Sequence, residues 1–158
     1  MSWQNLFSKL AEHRREKEYK EKKREKEMLA EAQRINETFA PSIHKVCIRF
    51  AKTINWEYQK YKSGYGFPFS ITLYSPKKTH DFSINIDLIP LSCTLSIEIC
   101  YADTKRRECH ISLDEYTEEI LAKALYDYYN DMDKIVKEAW DEFKKSVAEL
   151  SKEFRKDG

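Results

Sequence analysis

FPFSITLY (67–74), FSINIDLIP (82–90), CTLSIEICY (93–101) and ECHISL (108–113) follow one another with short breaks, and in each the apolar residues fall at every second position. Successive strand side chains point to opposite faces, so this period reads as four β-strands with one face to bury. Short breaks between strands of this kind join neighbours as hairpins, which makes an antiparallel meander. Parity tests the pairing, because a slip of one residue sets apolar against polar positions. Leu73 with Phe82 leaves a loop at 76–79, and Leu88 with Cys93 leaves a tight loop around Pro90-Leu91. The last hairpin requires an odd-length loop, 102–104 or 102–106. The solvent face then carries Ser70, Thr72, Ser83, Asn85, Thr94, Ser96 and Glu98, with Tyr74 its clearest aromatic.

Upstream of Ser63-Gly-Tyr-Gly66, the main turn signal, the period lengthens to that of a helix. Ile43, Val46, Cys47, Phe50 and Ile54 lie on one helical face. Trp56–Tyr61 reads equally as an extension of that helix or as a fifth, edge strand. Ala40-Pro41 is expected to break or kink the helix before it, since Pro lacks the N–H and disfavours helix at the preceding residue. The earlier helix, 2–39, has an unusual middle: fourteen of the sixteen residues from Glu12 to Glu27 are Lys, Arg or Glu. Glu-to-Lys spacings such as Glu16–Lys20 and Glu18–Lys22 support a solvated single helix there. That stretch separates an apolar tip (Trp3, Leu6, Phe7, Leu10) from the body by about 24 Å at 1.5 Å per residue.

Downstream of the strands, Ser112-Leu-Asp-Glu115 reads as a capping box opening a last helix. Its apolar positions Leu121, Leu125, Tyr128, Met132, Ile135, Ala139, Phe143, Val147, Leu150 and Phe154 are spaced by three or four, a seam of heptad type. Forty-odd residues make a helix of about 60 Å, against a diameter of roughly 40 Å for a compact chain of this length. The sheet therefore covers only the first half, and Trp140, Phe143, Val147, Leu150 and Phe154 need another cover. The predicted fold is α+β: two N-terminal helices, a four-stranded antiparallel meander (five with the edge strand) and a long C-terminal helix forming an extended stalk with the N-terminal one. Three parts follow: 1–39, a charged helix with an apolar tip; 40–136, the α+β body; and 137–158, the distal part of the last helix.

Composition narrows the function. Charged residues make up 35% and apolar ones 41% of the 158 residues, which is a globular balance. Net charge is +1 but uneven: residues 1–113 carry +6, 114–142 carry −7 and the rest +2. Apolar runs fall short of the roughly 18 residues of a membrane span. No charged region followed by an apolar block opens the chain, so no secretory signal is expected. Cys47, Cys93, Cys100 and Cys109 then read as reduced thiols of a cytoplasmic protein. With only Gly64 and Gly66 internal, the Gly-rich phosphate loops and the nucleophile elbow are excluded. His44 and Cys47, with Cys93, Cys109 or His80, form too weak a pattern for zinc, whose sites show paired ligands in two places. Inward Cys47, Cys93 and Cys109 are ordinary small apolar fillers. Asp127, Asp131 and Asp133 read as a solvated helix face. No metal, cofactor or small-molecule substrate is expected.

What remains is surface. The tip (Trp3, Leu6, Phe7, Leu10) has three readings: a clasp on Val147–Phe154 within the chain, a hook for another protein, or insertion into a membrane surface. An uncovered seam at Trp140, Phe143, Val147, Leu150 and Phe154 is the kind of patch that marks interaction sites. The expected function is a non-enzymatic protein-interaction module, an adaptor or inhibitor acting by surface occlusion, whose partner is another protein, a second copy as a homodimer, or both. The alternative uses the first and third turns of the meander, which lie at one end of the sheet. There Lys77, Lys78 and His80 approach Lys105, Arg106 and Arg107, a basic cluster suited to phosphate or nucleic acid.

Overall fold

The computed structural model describes residues 2–62, 69–76 and 81–156, apart from the Lys62 side chain. Its elements are α1 (Trp3–Thr53), β1 (Glu57–Lys62), β2 (Phe69–Tyr74), β3 (Phe82–Ile89), a 3-10 turn (Pro90–Ser92), β4 (Thr94–Tyr101), β5 (Thr104–Ser112) and α2 (Glu118–Lys156). The sheet is an antiparallel meander in the order β1-β2-β3-β4-β5. The expected two N-terminal helices are one, and the meander has five strands. The Ser63–Gly66 turn and the start of the first expected strand lie outside the described residues.

Pro41 sits inside α1 without ending it. Proline in a helix interior removes one backbone hydrogen bond and costs about 3 kcal/mol. Packing on both sides offsets that cost: Ile35 before Pro41 and Ile43, Cys47 and Ala51 after it are all buried in the same core. The helix ends at Ile54-Asn55, where Asn55 takes a left-handed conformation (φ 59°) and Trp56 N–H donates to the Ala51 carbonyl. The chain reverses there into β1, settling Trp56–Tyr61 as the edge strand.

Among the described residues the inner faces match the expected ones except at Cys93, although the first two registers differ by two residues. Leu73 lies opposite Ile84, not Phe82, and Leu88 opposite Leu95, not Cys93. A shift of two keeps every side chain on its face, so Ile71, Leu73, Phe82, Ile84, Ile86, Leu88, Leu95, Ile97 and Ile99 form the buried layer as the pattern requires. Cys93 departs from its expected inward place. It is exposed, in a left-handed conformation (φ 51°) that closes the turn before β4.

The last hairpin overturns the odd-loop expectation. Ala102 and Asp103, both with positive φ (49° and 63°), make a two-residue turn, with Tyr101 opposite Thr104. Such primed turns match the twist of the flanking strands. Parity is restored by a bulge: Ile99 faces Arg107 while Cys100 faces Lys105, which leaves Arg106 as the extra residue. The capping box is also displaced. Residues 113–115 form a turn, and Thr117 caps α2 by accepting from Ile120 N–H at 3.2 Å, with Glu118 and Glu119 in the first turn.

Five strands decide how the helices point. With an odd number, β1 and β5 run the same way. α1 doubles back into β1, and β5 doubles back into α2, so the two helices also run the same way. Their contacts advance together along both. Ser42 Oγ and Tyr116 Oη are 2.8 Å apart, Lys45 pairs with Glu118, and Val46, Phe50 and Thr53 share a groove with Glu118, Glu119 and Ala122. The expected joint stalk is therefore absent. α1 leaves the sheet at the 3-10 turn, and α2 leaves it past the Ala102-Asp103 turn, at the opposite end.

Candidate protein-interaction surfaces

The N-terminal end is built from about two amphipathic turns. Ser2 caps α1, its hydroxyl accepting from Asn5 N–H at 3.4 Å. Trp3, Leu6, Phe7 and Leu10 share a face by their three- and four-residue spacing. Trp3 and Phe7 meet edge to face, ring centroids 5.7 Å apart. All four are bare, 49–64% exposed. From Trp3 to the first buried residue, Ile35, α1 overhangs by about 48 Å, and Met28 and Leu29 are also exposed near its root.

The C-terminal end begins where the sheet stops. Leu121, Leu125, Tyr128 and Ile135 are buried against the strands, and the Tyr128 hydroxyl donates to the Ile97 carbonyl at 2.9 Å. Burial pushes that hydroxyl's pKa well up, keeping it a neutral donor. Beyond them Trp140, Phe143, Val147, Leu150 and Phe154 are 44–79% exposed. Trp140 and Phe143 stand edge to face at 5.8 Å, the counterpart of the pair at the other end.

The two ends do not meet. They project in opposite directions from the sheet, roughly 80–100 Å apart from helix rise and strand length. The clasp within one chain is not formed.

The basic cluster is divided. Lys77, Lys78 and His80 lie outside the described residues. Lys105, Arg106 and Arg107 already face carboxylates. Lys105 pairs with Glu108 at 2.7 Å and with Glu98 at 4.0 Å. Arg106, largely buried, reaches Glu142 at 2.7 Å. Arg107 donates to both Glu138 oxygens, at 2.9 and 2.6 Å, with Asp131 at 3.8 Å. The bulge explains why two adjacent strand residues both reach α2: alternation would send one to the far face. The Arg107 hydrogen bonds hold the Glu138 carboxyl below the usual carboxylate range. These arginines anchor α2 where its overhang begins, at Glu138 and Glu142. Sequence reasoning missed this role, although the −7 charge of 114–142 was the available signal.

Neither a protein family nor a characterised protein nor a solved structure matches this chain. The residues themselves carry the reading.

The Cys47 thiol is pushed up to about 12 by burial. The His44 ring packs edge-on against Tyr58 and Phe69, and burial followed by the nearby Lys60 charge lowers its pKa. Among the described residues no three His, Cys, Asp or Glu side chains gather as a metal site, and no helix is long and apolar enough to cross a membrane. The open sheet face is polar: Thr72 Oγ1 donates to Asn85 Oδ1 at 2.9 Å, and the Tyr61 and Tyr74 hydroxyls are 3.0 Å apart.

Proposed function

We propose that the chain is a non-enzymatic protein-interaction module, an adaptor or inhibitor that works by occupying a partner's surface, with its contacts at two opposite ends. One observation carries this: nine large apolar side chains, Trp3, Leu6, Phe7 and Leu10 at one end and Trp140, Phe143, Val147, Leu150 and Phe154 at the other, are 44–79% exposed. The body meanwhile buries a full layer of Ile and Leu. Contiguous bare apolar surface of this kind marks interaction sites. The charged stretch of α1 acts as a spacer that holds the tip clear of the body. Four unpaired cysteines suit a reducing, cytoplasmic setting for such a module.

Phosphate or nucleic-acid binding is the weaker reading, because Lys105, Arg106 and Arg107 are each engaged by carboxylates. The test compares proteins retained from native extract by the full chain, by a chain lacking residues 1–11 and by Leu6→Asp/Leu10→Asp. Both variants are expected to keep the circular dichroism of the sheet and to lose the partners. An unchanged partner set would overturn the reading.

A further inference from the structure

Building on that reading, we infer that the overhanging half of α2, residues 140–156, is an antiparallel zipper whose partner is the same segment of a second copy of this chain.

Spacing is the first argument. Trp140, Phe143, Val147, Leu150 and Phe154 follow a 3-4-3-4 rhythm and all are exposed. With Trp140, Val147 and Phe154 at a and Phe143 and Leu150 at d, this is the narrow stripe that one helix offers another. The inner half of α2 has the same rhythm and lies on the sheet; the outer half has it with no cover in its own chain. The flanking e and g positions are Lys144, Ser146, Ser151 and Glu153, and Asp141, Glu142, Lys145, Glu149, Lys152, Arg155 and Lys156 occupy the outer face.

Charge gives the direction. Asp141 and Glu142 stand where the segment leaves the sheet, and Arg155 and Lys156 near its far end. Antiparallel pairing with Val147 level with the second copy's Leu150 brings Phe143 level with the second copy's Phe154. It also brings Asp141, on the outer flank of the seam, near the second copy's Arg155, while Glu142 stays paired with Arg106 of its own chain. At the e and g flanks Lys144 approaches Ser151 and Ser146 approaches Glu153, so no like charges meet there. Parallel pairing would stack each charged pair on its own copy.

Length agrees with this register. Glu142 is held by Arg106 at the edge of the sheet, so the free helix begins there. In the register above, the second copy's Lys156 arrives level with Asp141, so the two overhangs overlap over 141–156. The α1 tip of another copy is a poorer occupant. Its apolar face spans only Trp3 to Leu10 before Glu12, Arg14 and Arg15, and would leave half the seam uncovered.

Area sets the strength. A large aromatic carries about 150–250 Å²; at the exposures above, Phe143, Val147, Leu150 and Phe154 present roughly 400 Å² per copy, or about 800 Å² per pair. That is the size of a weak, reversible interface, and it fits a dimer that dissociates at tens of micromolar or above, on the order of the upper end of the range below.

The experiment is sedimentation of the full chain between about 1 and 200 μM. The mass is expected to rise from 18.9 kDa towards twice that value. Val147→Asp/Leu150→Asp should hold it at the monomer mass with unchanged circular dichroism. Arg155→Glu/Lys156→Glu should weaken association about tenfold or more, and adding Asp141→Lys should restore it. A monomer throughout the range, or a dimer indifferent to Val147→Asp/Leu150→Asp, would overturn the zipper. A dimer indifferent to the charge reversal would overturn its antiparallel direction. A monomer that instead sediments with phosphatidylcholine–phosphatidylserine vesicles would assign the seam to lipid. A chain that stays monomeric yet loses its partners when residues 1–11 are deleted sinks the zipper alone and leaves the interaction module standing.

Discussion

The inner turns of α2, 118–139, and its outer turns, 140–156, carry apolar residues at the same spacing and meet opposite fates. Leu121, Leu125 and Ile135 have no exposed surface, whereas Val147, Leu150 and Phe154 are 44%, 55% and 79% exposed. The difference lies in the cover. Strands of eight or nine residues reach about 28 Å, and a 39-residue helix reaches about 58 Å. α1 overhangs even farther, but its bare part is mostly Lys, Arg and Glu, which need no shelter. Two overhangs of similar geometry thus differ in what they ask for: α1 carries a spacer with a small apolar tip, and α2 carries an unsatisfied seam.

The sharpest contrast between anchored and bare regions is chemical. Cys47, in the anchored half of α1, is fully buried, and Cys93 is exposed at a turn. Alkylation of Cys47 has to wait for unfolding, so Cys93 should react at least about 10³-fold faster. Comparable rates, read by peptide mass spectrometry, would mean that α1 is not anchored as described. Next in size, Leu125→Ala or Ile135→Ala should cost about 2–5 kcal/mol in denaturant unfolding, against about 0.5 kcal/mol or less for Leu150→Ala in the monomer. Equal costs would erase the distinction between the two halves of α2. Pro41→Ala restores a helix hydrogen bond and should raise stability by about 1–2 kcal/mol. A loss instead would show that the proline shapes the packing of Ile35 and Ile43 on one core. The smallest effect concerns the border itself. Because Arg107 lowers the Glu138 pKa, the pair's contribution is fully present above the ordinary carboxylate range. It is lost as pH falls through the lowered value. Hydrogen exchange at 137–142 should then quicken under acid while Leu121 and Leu125 stay protected; Glu138→Gln should remove that pH dependence.

Much of the fold was legible in residues 67–113, because period-two alternation is local and survives a register error of two: Leu73 and Leu88 kept their faces with different partners. The bare ends were legible for the same reason, as helix length is arithmetic. Other features were not. Ser112 and Thr117 are both acceptable caps, and only the turn at 113–115 chooses between them. Cys93 alternates like its neighbours, yet closing the turn takes it out of the core. Arg106 and Arg107 read as a free basic turn because a bulge cannot be seen in a single strand's alternation.

Local pattern alone therefore determined the strands, their buried faces, the charged spacer and the two apolar ends, since each depends on neighbours a few residues apart. The tertiary structure alone decided where those ends go. WEYQK at 56–60 suits helix or strand, and making it the fifth strand reverses the relation between the helices from opposed to aligned. The choice is made by pairing with β2 some fifteen residues away. It places the tip and the seam at opposite poles of one molecule.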